Sequence, residues 1–158
     1  MHSAEERIHT LGLKIPAKKE KNPESAIESA KKLCEFIYVS GHGPITLEGK
    51  MVSIGKVGED ITPEEGYEAA RLCALNCLAS VRGIIGSLDR VSKIIQVRGF
   101  VNSAPDFFDQ PKVVNGASEL LVEVFGERGR HTRTAIGTAS LPGNISVEVD
   151  MLLKLKRG

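Results

Sequence analysis

Aromatic residues are scarce in this chain of 158 residues, which has no tryptophan, two tyrosines and five phenylalanines. Proteins that bind single-stranded RNA usually stack its bases on aromatic side chains inside a basic groove. No excess of positive charge is present either, because 21 lysines and arginines face 20 acidic residues and leave a formal net charge of +1. The composition therefore argues against a nucleic-acid partner.

Long apolar runs are also missing. The longest, around Leu72–Leu78 and Met151–Leu153, fall far short of the roughly 20 residues that a helix needs to cross a bilayer. The N-terminal residues are charged where a signal peptide would have an apolar segment. We expect no membrane partner and a cytoplasmic location.

Cysteine occurs three times, at Cys34, Cys73 and Cys77, and an odd number cannot form a closed set of disulfides in one chain. Cys73 and Cys77 are spaced to share one helix face, with no histidine or carboxylate at ligand spacing. We interpret them as buried core thiols and predict no metal site.

The remaining composition is that of an ordinary globular protein, with 41% hydrophobic and 26% charged residues. The length favours a single domain over residues 1–158. Within it, residues 1–24 are interpreted as a short strand near Arg7–Leu11 followed by a polar connection.

Hydrophobic periodicity predicts two helices, Pro63–Ile85 and Pro105–Phe125. The first has the stronger signal, because Thr62 can cap it, Pro63 suits its first position and Glu65 can complete a capping box. Runs rich in β-branched residues predict strands at Phe36–Ser40, Arg90–Val101, Arg133–Ala139 and Ile145–Leu155. This order favours an α+β fold with a single mixed or antiparallel sheet and both helices on one face.

The last predicted strand is apolar on one side and mixed on the other, where Leu152 stands among Glu148 and Asp150. A sheet that is apolar on both faces usually has a partner, so we expect a homo-oligomer.

Arg133 begins a predicted strand, so rigid backbone would hold its guanidinium. Arginine binds carboxylates through two parallel hydrogen bonds, which favours a small acidic metabolite; the alternative is a surface arginine paired with a nearby glutamate. Glu148 follows 15 residues later and would approach Arg133 if the last two strands form a hairpin. Glu148 then either pairs with an arginine or holds a water for attack on a bound carbon.

The segment Ser40-Gly41-His42-Gly43-Pro44 resembles a loop that exposes backbone N–H groups to an anion or carbonyl. Ser40 has no nucleophile-elbow motif around it and is interpreted as a loop hydroxyl. His42 and His131 flank the two candidate segments and are read as hydrogen-bonding residues in preference to proton carriers.

Three motifs in this order, Tyr38-Val-Ser-Gly-His-Gly-Pro44, Arg133-Thr-Ala-Ile-Gly-Thr-Ala-Ser-Leu-Pro142 and Val147-Glu-Val-Asp150, resemble the reactive intermediate deaminase (RidA, YjgF-like) family, also known from liver perchloric-acid-soluble endoribonuclease. The resemblance covers about residues 25–155. It implies a fold like that of bacillary chorismate mutase and a barrel-like homotrimer with a ligand cleft at each subunit interface.

The resemblance also implies roles for single residues. Arg133 matches the arginine that grips a substrate carboxylate, Glu148 the glutamate that positions water, and Ser40 and Gly41 the loop that lines the pocket. Ala135 stands where a cysteine is common. Ile27 is nearest to the position of a tyrosine in active members, and His42, His131 and Ile27 are expected near the pocket.

The implied reaction is the hydrolysis of 2-enamine or 2-imino acids to 2-keto acids and ammonia, without a metal or organic cofactor. One alternative is a non-catalytic trimer that binds 2-keto acids or regulates another protein. A second is an endoribonuclease, which the neutral charge and the few aromatic residues disfavour.

Overall fold

The computed structural model describes residues 2–17 and 20–158. Its helices and strands are, in chain order, α1 (Ala4–Thr10), β1 (Ala30–Leu33), β2 (Phe36–His42), α2 (Pro63–Ile85), β3 (Val91–Asn102), α3 (Gln110–Phe125), β4 (Thr132–Thr138) and β5 (Val147–Leu155). Single 3-10 turns lie at Leu88–Arg90, Gly126–Gly129 and Pro142–Asn144.

The five strands form one mixed sheet in the order β1-β2-β5-β3-β4. All neighbouring pairs are antiparallel except β3 and β4, which are parallel. Helices α2 and α3 pack against each other and against the sheet, on the side toward which β5 turns its fully buried residues. The predicted α+β architecture, with one mixed sheet and the two long helices on one face, is confirmed.

Helix α2 begins and ends where the sequence predicts. The Thr62 side chain accepts a hydrogen bond from the Glu65 N–H, and the Glu65 carboxylate accepts one from the Thr62 N–H. Gly86 ends the helix with a positive φ of 80°, a conformation that glycine adopts without steric cost.

The strand predicted near Arg7–Leu11 is wrong, because this segment belongs to helix α1. Ser3 and Glu6 form a capping box at its start, and Ile8 is buried in the core. Arg7 donates a hydrogen bond to the Glu123 carbonyl oxygen of α3. A helix of seven residues is too short to be stable alone, so the capping box and these tertiary contacts together account for it.

Helix α3 begins at Gln110, five residues later than the predicted start at Pro105. The residues before it form a turn in which the Phe107 N–H donates to the Ala104 carbonyl oxygen. Pro111 lies in the first turn of the helix, where its missing N–H costs no intrahelical hydrogen bond.

The last two strands do not form the hairpin that would bring Glu148 to Arg133. Strand β3 lies between β4 and β5 and pairs with both, for example through Val97 with Arg133 and with Met151. Because α3 connects β3 to β4, the two strands form a strand-helix-strand unit, and such a connection favours parallel pairing.

The hydrophobic core lies between the sheet and the two long helices and also includes Ala4 and Ile8 of α1. The Cys73 and Cys77 thiols are fully buried there and donate to the carbonyl oxygens of Val147 and Val149. Burial raises the pKa of both thiols, as expected for structural cysteines. No helix in the described residues is long and apolar enough to span a membrane.

Helices α2 and α3 approach most closely at Gly116, where an added Cβ would overlap the Tyr67 carbonyl oxygen. Helix propensity alone would make Gly116→Ala stabilising by about 1 kcal/mol. The overlap with rigid backbone reverses the sign, and we expect a net loss of roughly 1–3 kcal/mol in the free energy of unfolding. Urea unfolding followed by circular dichroism measures it, with the exposed Lys112→Ala on the same helix as the control. A higher urea midpoint for Gly116→Ala would contradict the close contact.

Candidate functional site

Arg133 lies on the edge strand β4, on the face that turns toward α3. Its partner in β3 is the buried Val97, and alternation along the strand puts Arg133 and Ala135 on this same face. The Arg133 Nη1 donates to Asn115 Oδ1 at 2.7 Å and to Ser118 Oγ at 3.2 Å, both on α3. The Nε and Nη2 atoms have no hydrogen-bond partner within residues 2–17 and 20–158.

The alternative in which Arg133 is a surface arginine paired with a glutamate is wrong for the part of the chain that the structure describes. The two nearest acids of α3 are engaged elsewhere. Glu119 accepts a hydrogen bond from the Tyr67 hydroxyl at 2.5 Å, and Glu123 accepts two from Arg71, at 2.6 and 3.1 Å. The bond to Glu119 raises the pKa of Tyr67 above its usual value. Arg133 therefore keeps its full charge.

His131 lies two residues before Arg133 and next to the same serine. Its Nδ1 is 2.6 Å from the Gly129 carbonyl oxygen and its Nε2 is 2.9 Å from Ser118 Oγ. Burial lowers the pKa of the imidazole below 6.5; the hydrogen bond to Gly129 opposes that shift, and the charge of Arg133 adds to it. The net effect on the pKa favours the neutral imidazole.

A cleft of about 590 Å³ opens beside these groups. One wall consists of α3 side chains between Ser118 and Glu123, and the other of Arg130, His131 and Arg133. Arg130 is an exposed side chain paired with the exposed Glu127. The cleft thus has one unneutralised guanidinium, held on a strand, at its wall.

Glu148 lies on the opposite face of the sheet, which no helix of residues 2–17 and 20–158 covers. It is half-buried in β5 and pairs in register with Phe100 of β3. Its carboxylate sits against Gly41 of β2, where an added Cβ would overlap Glu148 Oε1. The register between β2 and β5 shifts between Val39 and His42, and this irregularity brings the glycine over the carboxylate. A larger residue at position 41 would therefore displace the Glu148 carboxylate from this position.

Ser40 and His42 hold this end of β2 in place through their side-chain hydrogen bonds. The Ser40 hydroxyl, which lies within β2, donates to the Glu28 carbonyl oxygen at 2.6 Å. His42 Nδ1 is 2.5 Å from the Ser40 carbonyl oxygen, and its Nε2 is 2.7 Å from Ser80 Oγ on α2. Ile27, which is 76% exposed, lines a second cleft of about 420 Å³ together with Gly41 and His42.

The predicted site residues therefore form two groups within one chain. Arg133, His131 and Ala135 lie at the β4 edge on the helix side, whereas Glu148, Gly41 and Ser40 lie at or beside β2. Two strand spacings and three residues of register separate the Cα atoms of Arg133 and Glu148 by roughly 14 Å, and their side chains point to opposite faces. The expected approach of these two side chains does not occur within the chain.

Asn115 and Ser118 were not predicted as site residues. Their spacing of three places them on one side of α3, beside the apolar stripe that the sequence does reveal. A polar pair of this kind is a weak signal, because its partner is on a strand whose position in the sheet is not evident from the sequence. The described residues contain no cluster of three side chains that could hold a metal ion.

The sequence model of one protein family, described as "YjgF/chorismate mutase-like, putative endoribonuclease", matches residues 5–155. The chain belongs to this family. The resemblance drawn from the three motifs is thereby confirmed.

Relatives of the YjgF family cover nearly the whole chain. Protein TCP17 of Trypanosoma cruzi is 41% identical over 151 residues, which are 94% of this chain and 91% of that protein. The crystal structure of Atu1372 from Agrobacterium tumefaciens, a protein of unknown function, is 38% identical with a TM-score of 0.89 and covers 97% of this chain and 92% of that one. A protein from Shewanella oneidensis MR-1 is 32% identical with a TM-score of 0.90 over 98% and 100% of the two chains.

A more distant YjgF-like structure is that of Escherichia coli TdcF with bound serine, at 17% identity and a TM-score of 0.60, covering 90% of this chain and 96% of that one. At this identity the comparison shows the fold alone.

The lowered pKa of His131 gives a pH-dependent prediction. We expect its ring resonances to titrate with a midpoint below 6.5 in the folded protein, because burial disfavours the charged form. Since its pKa is lower when folded than when unfolded, His131 favours folding above pH 6.5, and this contribution is lost as pH falls through its folded pKa. NMR titration measures it, with His131→Phe to assign the signals. A midpoint at or above 6.5 would contradict the buried, neutral ring.

Proposed function

We propose that the protein hydrolyses small 2-imino acids, or their 2-enamine tautomers, to 2-keto acids and ammonia in a site shared between two copies of the chain. The observation that carries this proposal is the state of Arg133. Its Nε and Nη2 atoms form an edge without a partner among the described residues, and only the neutral oxygens of Asn115 and Ser118 hold it. Such an edge binds a carboxylate through two parallel hydrogen bonds.

The site needs a second chain because Arg133 and Glu148 lie at different places and on opposite faces of one sheet. If the β4 edge of one subunit packs beside β2 of the next, Arg133 of the first subunit lies close to Glu148 and Gly41 of the second. Such a contact joins two different surfaces, and repeated contacts of this kind form a closed ring when the rotation between subunits divides a full turn. The family resemblance implies a ring of three.

The uncovered face of the sheet supports this assembly. It carries three large apolar side chains from two strands, Phe36 and Tyr38 of β2 and Ile136 of β4, which are 37%, 54% and 45% exposed. In the ring these side chains lie against neighbouring subunits, which removes their apolar surface from water.

The chemistry follows from two fixed groups. Arg133 binds the carboxylate and withdraws electron density from the adjacent imine carbon. Glu148 accepts a proton from water as the water oxygen bonds to that carbon, and passes the proton to the nitrogen. The proton of the new hydroxyl then passes through Glu148 to the amino group as the carbon–nitrogen bond breaks, so that ammonia leaves and the carbonyl of the 2-keto acid forms. Holding water and substrate together removes much of the entropic barrier.

A second candidate is a trimer that binds 2-keto acids without turnover. Two positions favour this candidate. Ile27 is the residue nearest to the position where active family members have a tyrosine, and Ala135 occupies a position where a cysteine is common. Neither side chain can donate or accept a proton. An endoribonuclease is supported less, since the chain has a formal net charge of only +1 and RNA binding relies on basic and aromatic surfaces.

Two substitutions separate binding from chemistry. We expect Arg133→Ala to weaken 2-ketobutyrate binding by about 1.5–3 kcal/mol, because it removes a charged hydrogen-bonding group. Glu148→Gln should leave binding nearly unchanged and slow ammonia release from 2-iminobutyrate by roughly 10²–10⁴-fold, because it removes a general base. Calorimetry and an ammonia assay, with the imine generated in situ by a threonine dehydratase, measure both. The exposed Arg157→Ala is the matched control.

The outcomes separate the candidates. Unchanged affinity in Arg133→Ala removes Arg133 from the site. Binding of 2-ketobutyrate with no wild-type turnover favours the non-catalytic trimer.

The shared site predicts that two inactive variants restore each other. Light scattering should give a mass of three times 17.1 kDa. When Arg133→Ala and Glu148→Gln chains are mixed and reassembled at random in equal amounts, about a quarter of the interfaces combine an intact Arg133 with an intact Glu148, because each interface takes one residue from each chain. Activity should return to about that fraction of wild type. Activity no higher than that of the two variants alone would show that both residues serve the same chain's site.

A further inference from the structure

We propose that Ser118 and His131 are positioning residues for Arg133. Ser118 and Asn115 bind Nη1, His131 orients the Ser118 hydroxyl, and the three together turn the Nε–Nη2 edge toward the ligand's carboxylate. This inference rests on the proposed function, since it takes Arg133 to be the carboxylate-binding group.

For a neutral imidazole, which burial favours, the hydrogen bonds around His131 have only one consistent direction. The Gly129 carbonyl oxygen can only accept, so the ring proton is on Nδ1, 2.6 Å away. In the neutral ring Nε2 is then an acceptor. It takes the single hydroxyl proton of Ser118 at 2.9 Å. The Ser118 oxygen, with its proton committed, has lone pairs available for the Arg133 N–H at 3.2 Å.

The same geometry leaves the other edge of the guanidinium available. Nη1 has two protons, and Asn115 Oδ1 and Ser118 Oγ accept one each. The guanidinium is planar, so fixing Nη1 on α3 also fixes the direction of Nε and Nη2. A ligand therefore meets a pre-oriented pair of donors and does not have to order a long side chain.

The anchoring residues hold the arginine without neutralising it. A glutamate at position 115 or 118 would fix the side chain equally well but would compete with a ligand's carboxylate. The acids nearby on α3, Glu119 and Glu123, are instead bound to Tyr67 and Arg71. A purely structural role for Arg133 gives no reason for this arrangement, whereas anion binding does.

Gly129 fixes the orientation of the His131 ring through its carbonyl oxygen. An added Cβ at Gly129 would overlap the Leu121 carbonyl oxygen, so only glycine lets the chain lie this close to α3. Its carbonyl oxygen is thereby held where His131 Nδ1 reaches it. The order Gly129-x-His131-x-Arg133 therefore places the guanidinium through a chain of contacts, from the Gly129 carbonyl to His131, from His131 to Ser118 and from Ser118 to Arg133.

The test compares three substitutions on α3. Ser118→Ala removes the hydroxyl, Ser118→Thr keeps it, and Lys112→Ala on the exposed side of the same helix is the control. For Ser118→Ala we expect 2-ketobutyrate affinity to fall about tenfold, with KM rising similarly and kcat unchanged. Ser118→Thr should recover most of the affinity. In an Arg133→Ala background, Ser118→Ala should have no further effect.

A loss of kcat without a change in KM, or an equal loss in both Ser118 variants, would overturn the proposal. So would an undiminished effect of Ser118→Ala in the Arg133→Ala background. Thermal unfolding of each variant shows whether a loss of affinity comes with a loss of folded protein, and Asn115→Ala provides a second way to free Nη1 if Ser118→Ala does not fold.

A readout without ligand separates this proposal from the proposed function. In ¹⁵N NMR at pH 7, His131 should be neutral with its proton on Nδ1, and the Arg133 Nη1 and Nη2 signals should be distinct because Nη1 is anchored. Ser118→Ala should bring the two Nη signals together. A proton on Nε2, or merged signals in the wild type, would overturn the positioning role even if the deaminase activity is found. If these signals are as expected but neither binding nor turnover occurs, only the proposed function fails.

Discussion

The pairing of β5 with both β2 and β3 is the constraint on which the rest of the structure depends. The last strand of the chain lies in the middle of the sheet. Its alternate residues from Val147 to Leu155 are buried on the face against which α2 and α3 pack. The insertion gives β5 two neighbours and leaves β4 at the edge. It also puts Glu148 near β2, and β3 then separates it from Arg133. The two halves of the proposed site are therefore far apart within a chain because of the strand order, and only an assembly can join them.

Each half of the proposed site is fixed to a long helix by the same kind of contact. His42 bridges the carbonyl oxygen two residues before it and a serine of α2, and His131 does the same with a serine of α3. The His42–Ser80 contact holds the end of β2 beside Glu148. The His131–Ser118 contact holds the start of the strand that carries Arg133. Both groups are thus attached to the two long helices, so the proposed binding and chemistry would use geometry that is already fixed within each chain. The partners of Arg133 are neutral, which keeps its charge for an incoming anion.

Local signals in the sequence predicted the long elements well, whereas the relations between distant elements were harder to predict. Helix α2 has its cap at Thr62, Pro63 at its start and Gly86 at its end, so its limits depend on neighbouring residues alone. The alternation in β5 likewise identified its two faces. Helix α1 was mistaken for a strand because its stability depends on contacts with α3 that no local pattern reveals. The sequence could not show that the last two strands form no hairpin, since the position of β3 is set by long-range pairing. Arg133 and Glu148 could each be proposed as site residues from the sequence. Asn115 and Ser118 could not, because only the position of β4 beside α3 brings them to Arg133.

The parallel pairing of β3 and β4 has a consequence for how this chain can change in length. The sheet fixes where β4 lies, and the 3-10 turn over Gly126–Gly129 delivers the chain to it directly from α3. Adding or deleting one residue in this turn would shift β4 by one position, and a shift of one position exchanges the two faces of a strand. Arg133 would then face away from α3, and Thr132 or Thr134 would take its place. The irregular segment between β2 and α2 has no such relation to Arg133. Insertions that preserve carboxylate binding are therefore expected in that segment, whereas the turn before β4 keeps its length.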